Sequence, residues 1–297
     1  MKSPAFGLNR FDFSTPNLFA EDVKRAEDLG WNYAFVPDSQ LRRHDTYVLL
    51  ASAAVNTSTI NLGTLLANPI TRHLTVTAGS IATVDEVSNG RALLGLGIGD
   101  TAVRLAGLSP AKVATLEKST RAIRNLLKGK DVELGAVKPS YLPHHRPVPV
   151  WIAAAGPRTL RAAGRVADGV FIRVGMHLEN IKFSVEQIFS GARETGRNPD
   201  EIKLGLVVHT ILENNIEKAI LMGKSMAAGY YEYSPFLFDK PSIPWKGPHI
   251  ESLKTKVHPD FHHHSDLVES GNLVNFLPDS AAYSFAALGT AEDITQQ

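Results

Sequence analysis

The sequence predicts an α/β protein with one of two architectures, a closed (β/α)8 TIM barrel or an open doubly wound sheet. Strand-like and helix-like segments alternate from residue 5 to residue 211, and the early strands are short and apolar, as in a parallel sheet that is covered by helices. Each strand–helix pair takes roughly 25–40 residues, which also suits an open doubly wound sheet. The length of 297 residues is compatible with a single domain of either architecture.

The first four predicted strands each lead into a turn or loop. They are Ala5–Leu8, Tyr33–Val36, Asn61–Leu66 and Arg91–Leu96. Apolar side chains recur at helical spacing between the strands, and Gly30 and Asn89-Gly90 supply helix stops because these residues adopt the left-handed conformation readily. The helices predicted in this half are Asn17–Gly30, Tyr47–Val55 and Leu74–Ser88.

The same alternation continues up to residue 211. A long helix, Pro110–Leu127, and a hairpin-like excursion, Asp131–Leu142, come before the fifth strand. The strands that follow are Val150–Ala155, Val170–Val174 and Ile202–Ile211, and the helices between them are Arg158–Val166 and Leu178–Thr195. These segments bring the predicted number of strands to seven.

The pattern changes after Ile211. Residues 213–289 begin with an amphipathic segment, Ile216–Ala228, and continue into an aromatic, proline-rich stretch, which indicates a long insertion that forms a lid or an interface within one domain of residues 1–297. Thr290, before Ala-Glu-Asp, is the predicted N-cap of a final helix. No eighth strand is visible beyond Thr290, so if the fold is an eight-stranded barrel, this sequence lacks its last strand–helix unit.

Composition excludes several classes of function. The 31 basic and 30 acidic residues leave a net charge of +1, so no nucleic-acid partner is expected. Cysteine is absent, which excludes disulfides, thiolate metal sites and cysteine nucleophiles. The N-terminus lacks the apolar core of a signal peptide, and no apolar stretch is long enough to span a bilayer. We therefore expect a soluble, cytoplasmic α/β protein.

Two glycine loops at strand ends are the best candidates for a ligand site. The segment Gly97-Ile98-Gly99-Asp100-Thr-Ala102 matches G-x-G-x-x-A, but it follows the fourth strand and a turn at 107–110 interrupts the expected helix, which disfavours a dinucleotide fold. Ala153–Pro157 ends the fifth strand just before a helix, so a flat ring or a phosphate could approach its backbone. A tight turn is the alternative for this second loop.

Four further features offer chemistry. Asp100 is placed either to cap a short helix or to exchange a proton at the carboxyl end of the barrel. Arg173 and His209 lie near the ends of strands six and seven. We expect them either on the surface or next to the residues that contact the ligand. Consecutive residues His262 to His264 cannot easily all face one ion, so we expect a solvated or lid loop and no metal.

These segments, in this order, resemble the luciferase-like flavin and deazaflavin oxidoreductase superfamily over nearly the whole chain. Within it they are most similar to methylenetetrahydromethanopterin reductase and its relatives, which use coenzyme F-420. The stretch Ser80-Ile-Ala-Thr-Val-Asp-Glu-Val-Ser-Asn-Gly-Arg91 is specific to the superfamily, and Gly97-Ile-Gly-Asp100 favours the F-420 branch. Supporting segments are 26–38, 62–69, 156–157 with 167–169, and 289–290.

The resemblance implies a barrel with the deazaflavin in its carboxyl-terminal mouth and a non-prolyl cis peptide between Leu65 and Leu66, behind the middle ring of the cofactor. By position it also implies three further groups of contacts: Asp38 and Ser39 beside the ring, Gly97, Ile98 and Gly99 at its other edge, and Ala154, Ala155 and Gly156 on the ribityl–phosphate side. Asp100 corresponds to an acidic residue near the reacting carbon. Relatives often carry histidine at the position of Ser39.

The function implied is hydride transfer between coenzyme F-420 and a small organic substrate, for which the relatives suggest a pterin-bound one-carbon unit. In this reading Asp100 is the catalytic residue, the insertion covers the substrate, and a homodimer is expected by analogy. Two alternatives stay open: an FMN-dependent luciferase-like monooxygenase, and a non-catalytic barrel that binds a ligand or partner.

Overall fold

The computed structural model describes residues 4–9 and 15–297. Its strands are β1 Gly7–Asn9, β2 Tyr33–Val36, β3 Asn61–Thr64, β4 Ala92–Leu96, β5 Val150–Ala154, β6 Gly169–Ile172, β7 Lys203–Leu206, β8 His209–Leu212 and β9 Ala286–Gly289. Its helices are α1 Pro16–Asp28, α2 Thr46–Asn56, α3 Leu74–Val87, α4 Thr101–Leu105, α5 Val113–Leu127, α6 Pro157–Val166, α7 Leu178–Glu194, α8 Ile216–Tyr233, α9 Ile250–Lys254, α10 Leu267–Leu273, α11 Asp279–Phe285 and α12 Ala291–Gln296. None of these helices combines the length and the apolar character that a membrane span requires.

The chain divides into two compact units. The first comprises Met1–Ala153, Ala162–Val170 and Gly191–Lys203, and the second comprises Ala154–Arg161, Phe171–Ser190 and Leu204–Gln297. In the main sheet the strands follow chain order from β1 to β7. The pairs from β1 to β5 are all parallel, and both β4 and β5 are buried along their whole length, as expected of strands with helices on either side.

In the first unit, the junction between α3 and β4 accounts for much of the superfamily motif. Asn89 and Gly90 both have positive φ, which ends the helix. The guanidinium of Arg91 then donates hydrogen bonds to the carbonyl oxygens of Ala54, Thr57 and Ile60 and to the hydroxyl of Thr57. The motif residue Arg91 thereby satisfies carbonyl groups at and beyond the end of α2 that the helix leaves without partners.

Asp85 performs a similar task from the last turn of α3. Its carboxylate accepts a hydrogen bond of 3.1 Å from the backbone N–H of Ala92 and one of 2.6 Å from Nε of Arg146. The Asp85 side chain is only 6% exposed, so both bonds form largely away from water. Helix, strand and the segment before β5 are therefore tied together by one carboxylate.

The second unit contains strands that the sequence did not predict. The single strand expected over Ile202–Ile211 is divided: Val207 still donates its N–H to Ile172 O, whereas β8 pairs in parallel with β9. The prediction of no eighth strand is wrong, because Ala286–Gly289 forms a buried strand that is followed by α12. The alanines of this stretch favour helix, so the sequence indicates a continuation of the preceding helix. Pairing with β8 overrides that local preference.

A small core holds β8, β9, α8 and α11 together in this unit. Its buried members are Ile211, Ala219, Met226, Ala282, Ala286 and Leu288. Gly223 lies where a Cβ would come within 2.7 Å of both Ala282 and Leu288, so α8 approaches its neighbours closely at this point. The N-cap predicted for the last helix is confirmed, since Thr290 and Asp293 form a capping box.

Candidate functional site

The carboxyl ends of β2 and β3 meet in the first unit. The N–H of Asp38 donates to the carbonyl of Leu66 at 3.1 Å, and the N–H of Leu65 donates to Val36 at 3.0 Å. The peptide bond between Leu65 and Leu66 is cis, as the resemblance implies. Asp38 is therefore a direct neighbour of this unusual backbone segment.

The buried carboxylate of Asp38 forms part of a network of charges. Arg72 bonds Asp38 through Nε at 3.2 Å and Asp45 through Nη2 at 2.6 Å, and its guanidinium lies 4.9 Å from the centre of the Tyr47 ring. Burial raises the pKa of Asp38, and the bond to Arg72 opposes this rise. The sequence offered no signal for Arg72, which lies in the loop before α3.

Two buried polar atoms at these strand ends lack internal partners. Ser39 is 7% exposed, and among residues 4–9 and 15–297 its hydroxyl has no hydrogen-bond partner. The same holds, within those residues, for Oδ1 of Asn9 in β1, which the sequence analysis did not single out. A buried polar atom without a partner costs free energy, so both positions suit a ligand that completes their hydrogen bonds.

The loop after β4 is packed against the end of β3. Ala67 donates its N–H to the carbonyl of Gly95 at 2.8 Å, and Gly97 donates to Ala67 at 2.9 Å. A Cβ on Gly97 would come within 2.9 Å of the Leu66 side chain, and Gly99, with φ +78°, would place one 2.5 Å from Val103. A side chain at either glycine would therefore have to displace its neighbours, whereas Ile98 is 37% exposed.

Asp100 lies at the N-terminus of the short helix α4. Its side chain makes no capping hydrogen bond, which rules out that alternative for the carboxylate. Instead Oδ1 accepts a hydrogen bond of 2.6 Å from Nε of Arg104, and the carboxylate keeps 28% of its surface exposed. A carboxyl group held in this way can still reach a reacting atom outside the protein.

The loop after β5 belongs to the second unit. The carbonyl of Ala154 accepts the N–H of Arg173 at 3.0 Å, and Pro157 begins α6 directly after Ala155 and Gly156. A Cβ on Gly156 would meet no atom within 4 Å, so space beside this backbone is open. Unlike Gly97, Gly156 is not required by packing inside the protein.

Arg173, at the end of β6, leads to a cluster of rings in the same unit. Its Nη2 lies 3.2 Å from Nδ1 of His262, and its guanidinium lies 5.9 Å from the centre of the Tyr230 ring. His209 stacks on His262 with 5.0 Å between ring centres. Burial and the nearby positive charge of Arg173 lower the pKa of His209 to about 3 and hold that of His262 well below its usual value, so both imidazoles are neutral at pH 7.

The three consecutive histidines have different partners. Nε2 of His262 lies 3.1 Å from the carbonyl of Met226, His263 bonds the carboxylate of Asp260, and His264 lies 3.7 Å from a carboxylate oxygen of Glu269. Within the part of the chain that the structure describes, no set of three His, Asp or Glu side chains could hold a metal ion. Of the two expected alternatives, a solvated loop is wrong for His262, which packs against Gly229 of α8, and a lid loop stays a prediction.

The structure thus gathers the predicted residues in two places. The first unit brings Asp38, Leu65 and Leu66 together at one set of strand ends, with Ser39 next to Asp38 and Gly97 against Leu66; Ile98, Gly99 and Asp100 continue the same loop. The second unit holds Ala154, Ala155 and Gly156 beside Arg173. His262 and Tyr230 come from the insertion, whose irregular pattern gave no sign of their role.

Comparison with known proteins identifies close relatives. The sequence profile of luciferase-like monooxygenases matches residues 14–297. The chain is 36% identical over 224 residues to 5,10-methylenetetrahydromethanopterin reductase from Methanolobus tindarius. This alignment covers 72% of this chain and 67% of that protein. It is 30% identical over 259 residues to the reductase of the same name from Methanopyrus kandleri, with 79% and 74% covered. The solved structure of the coenzyme F-420-dependent tetrahydromethanopterin reductase from Methanopyrus kandleri superimposes with a TM-score of 0.80 and 26% identity, covering 98% of this chain and 88% of that one.

Proposed function

Since this chain belongs to the family of luciferase-like monooxygenases and has its (β/α)8-barrel fold, we propose that it is an oxidoreductase that transfers hydride between coenzyme F-420 and a small organic substrate. The observation that carries the proposal is the similarity to methylenetetrahydromethanopterin reductases, at 36% identity to one of them and with a matching fold in a solved F-420-dependent relative. A pterin-bound one-carbon unit is the substrate that these relatives suggest.

The residues of the first unit fit a flat heterocyclic cofactor. The partnerless hydroxyl of Ser39 and the buried carboxyl of Asp38 provide a hydrogen-bond donor or acceptor for polar atoms at a ring edge. Leu65 and Leu66 offer an apolar surface on which a ring can stack. We propose that these four residues, with Gly97, Ile98 and Gly99, border the ring, and that Ala154, Ala155 and Gly156 contact the remainder of the cofactor.

A bound deazaflavin supplies a carbon that donates or accepts hydride, so the protein's own task is to position the reactants and exclude water. We propose Asp100 as the catalytic residue: its carboxyl group, oriented by Arg104, donates or accepts the proton that accompanies the change in the substrate. The network of Asp38, Arg72 and Asp45 keeps the adjoining strand ends rigid.

Three further proposals follow by analogy with the family. We propose that residues 1–297 form a single barrel domain with 213–289 as an insertion, that the protein is cytoplasmic, and that it forms a homodimer. Exposed apolar side chains on α1 and α2, among them Leu18, Val48 and Val55, support the last of these.

Binding of FMN in a monooxygenase is the second candidate, because the family as a whole is described by that activity. Anaerobic titration of the protein, freed of cofactor, with coenzyme F-420 and with FMN distinguishes the two. We expect saturable binding of coenzyme F-420 and much weaker binding of FMN. The reverse order of affinities would favour the monooxygenase, and no binding of either would favour a non-catalytic barrel.

A further inference from the structure

The side chains that contact the guanidinium of Arg173 carry no negative charge. It follows the last residue of β6, and its N–H donates to Ala154 O at 3.0 Å, so it lies at the strand end beside the Ala154–Gly156 loop. In the described residues, 4–9 and 15–297, no carboxylate forms an ion pair with its guanidinium. A partly buried guanidinium without an anion is unusual, because burial of a charge is costly unless it is paired.

The groups that do contact the guanidinium are neutral. His262 lies 3.1 Å from the carbonyl of Met226 through Nε2, so the proton belongs on Nε2 and the lone pair of Nδ1 faces Arg173. The positive charge of Arg173 itself helps to keep His262 neutral. Tyr230 offers only the face of its ring. These contacts orient Arg173 and leave its charge uncompensated.

The carboxylate that is closest to His262 in the sequence bonds a different histidine. Asp260, two residues before His262, bonds Nδ1 of His263 at 2.7 Å and the N–H of the same residue at 3.1 Å. The ring of His262 packs closely against Gly229, since a Cβ at that position would come within 2.4 Å of the ring. Within residues 4–9 and 15–297, the cluster therefore holds Arg173 in place without an anion.

From this arrangement we infer that Arg173 recognises an anionic group, phosphate or carboxylate, on the ligand that binds beside the Ala154–Gly156 loop. The planar guanidinium suits two-pronged contacts with either group. The open space at Gly156 is where such a ligand can approach the backbone. The inference rests on the proposed function for the identity of the ligand, and it makes Arg173 a binding residue that selects the charged form of that ligand.

The test compares pairs of ligands, one member with and one without the group that carries the phosphate. Coenzyme F-420 is paired with the deazaflavin riboside that lacks its phosphate-linked acidic tail, and FMN is paired with riboflavin. Dissociation constants are measured by fluorescence titration for the wild type, for Arg173→Gln and Arg173→Lys, and for Arg193→Gln as a charge-matched control on the exposed side of α7. Circular dichroism of each variant establishes that it is folded.

We expect the wild type to prefer the anionic member of a pair, and Arg173→Gln to reduce that preference at least tenfold while Arg193→Gln retains it. Arg173→Lys keeps the positive charge but loses the planar guanidinium, so its preference for the anionic ligand should be intermediate between those of Arg173→Gln and the wild type. This variant serves as the test if Arg173→Gln does not fold. If the deazaflavins do not bind but the flavins do, the proposed cofactor is wrong, and the FMN–riboflavin pair still decides the role of Arg173.

The anion can belong to the cofactor or to the substrate, and the same variants separate these sources. A lost preference within the cofactor pair assigns it to the cofactor. An unchanged preference combined with at least a tenfold higher KM for methylenetetrahydromethanopterin at saturating cofactor assigns it to the substrate. If Arg173→Gln changes neither quantity, the inference is overturned.

Discussion

Nε of Arg72 lies 3.2 Å from the buried carboxylate of Asp38, and the same guanidinium reaches the more exposed Asp45 at 2.6 Å. One cation therefore serves two carboxylates in different surroundings: the side chain of Asp38 is 3% exposed and that of Asp45 is 43% exposed. The buried member depends on Arg72, because removal of one partner of a buried ion pair leaves an uncompensated charge.

Replacing Arg72 by glutamine should destabilise the protein by about 1–3 kcal/mol at pH 7, since a buried charge loses its partner. Burial already raises the pKa of Asp38, and loss of Arg72 raises it further. The destabilisation arises from the ionised form of Asp38, so it is complete above the folded-state pKa and disappears as the pH falls towards the unfolded-state pKa, near 3.8. Urea denaturation at pH 7 and at pH 4 measures this difference.

Asp45→Asn is the matched control for Arg72→Gln. Asparagine can still cap α2, as Asp45 does through the N–H groups of Tyr47 and Val48, so only the exposed ion pair is lost. We expect a change of less than about 1 kcal/mol. An equal loss of stability in the two variants would show that burial of Asp38 is not what makes Arg72 important.

The two glycine loops should respond differently to alanine. Gly97→Ala brings a methyl group to 2.9 Å from the Leu66 side chain, so we expect a loss of about 1–2 kcal/mol of stability and weaker cofactor binding. Gly156→Ala places its methyl group in open space and should leave stability unchanged while it weakens cofactor binding. Thermal denaturation and fluorescence titration measure the two effects. Unchanged binding in both variants would exclude these loops from the cofactor site.

Asp100→Asn tests the proposed proton transfer. We expect turnover to fall by about 100-fold or more, within the usual contribution of a general acid or base, with stability changed by less than about 0.5 kcal/mol. Arg104→Gln removes the same ion pair and retains the carboxyl group, so its turnover should fall much less. Steady-state kinetics under anaerobic conditions provide the comparison. Full turnover in Asp100→Asn would remove the residue from the mechanism.

Glu232 on α8 should make stability depend on pH near neutrality. Its side chain is 5% exposed, and burial together with the charge of Asp260 raises its pKa to about 7, against a weaker opposing effect of Lys254. For an acid whose folded-state pKa is raised, stability is lost as the pH rises from its unfolded value, near 4.5, through about 7.

Glu232→Gln removes the ionisable group and should therefore be more stable than the wild type at pH 8, by on the order of 1–3 kcal/mol, with the difference vanishing near pH 5. Glu251→Gln is the control, because Glu251 also contacts Lys254 but is 65% exposed. Its stability relative to the wild type should vary little over the same range. A Glu232→Gln variant with no advantage at pH 8 would contradict the prediction.

The sequence predicted the regular parts of the fold well, because they depend on local signals. Asn89-Gly90 ended α3 as expected, and Thr290 caps α12 through the N–H of Asp293. The cis peptide at Leu65–Leu66 also agrees, although only the resemblance to a known family implied it. Local residue preferences carry no information about that bond.

Features that depend on distant contacts escaped prediction. Strand β9 forms because β8 pairs with it, and an alanine-rich segment gives no hint of this partner. Arg72 meets Asp38 across 34 residues, and His262 meets Arg173 across 89. Such pairs depend on which chain segments lie side by side in the folded protein. Hydrophobic periodicity predicts single helices and strands and gives no information about these contacts.

The hydrogen bonds of Asp85 and Arg91 show that the most recognisable stretch of this sequence builds the frame of the barrel. Arg91 is used up on carbonyl groups at and beyond the end of α2, and Asp85 on a strand N–H and Arg146. Because the proposed site lies in the strand-end loops, we expect the residues that select the substrate to differ from those that identify the family. An attempt to redirect this enzyme to new substrates can leave residues 80–92 untouched and vary the strand-end loops, and two proteins that share the motif need not share a reaction.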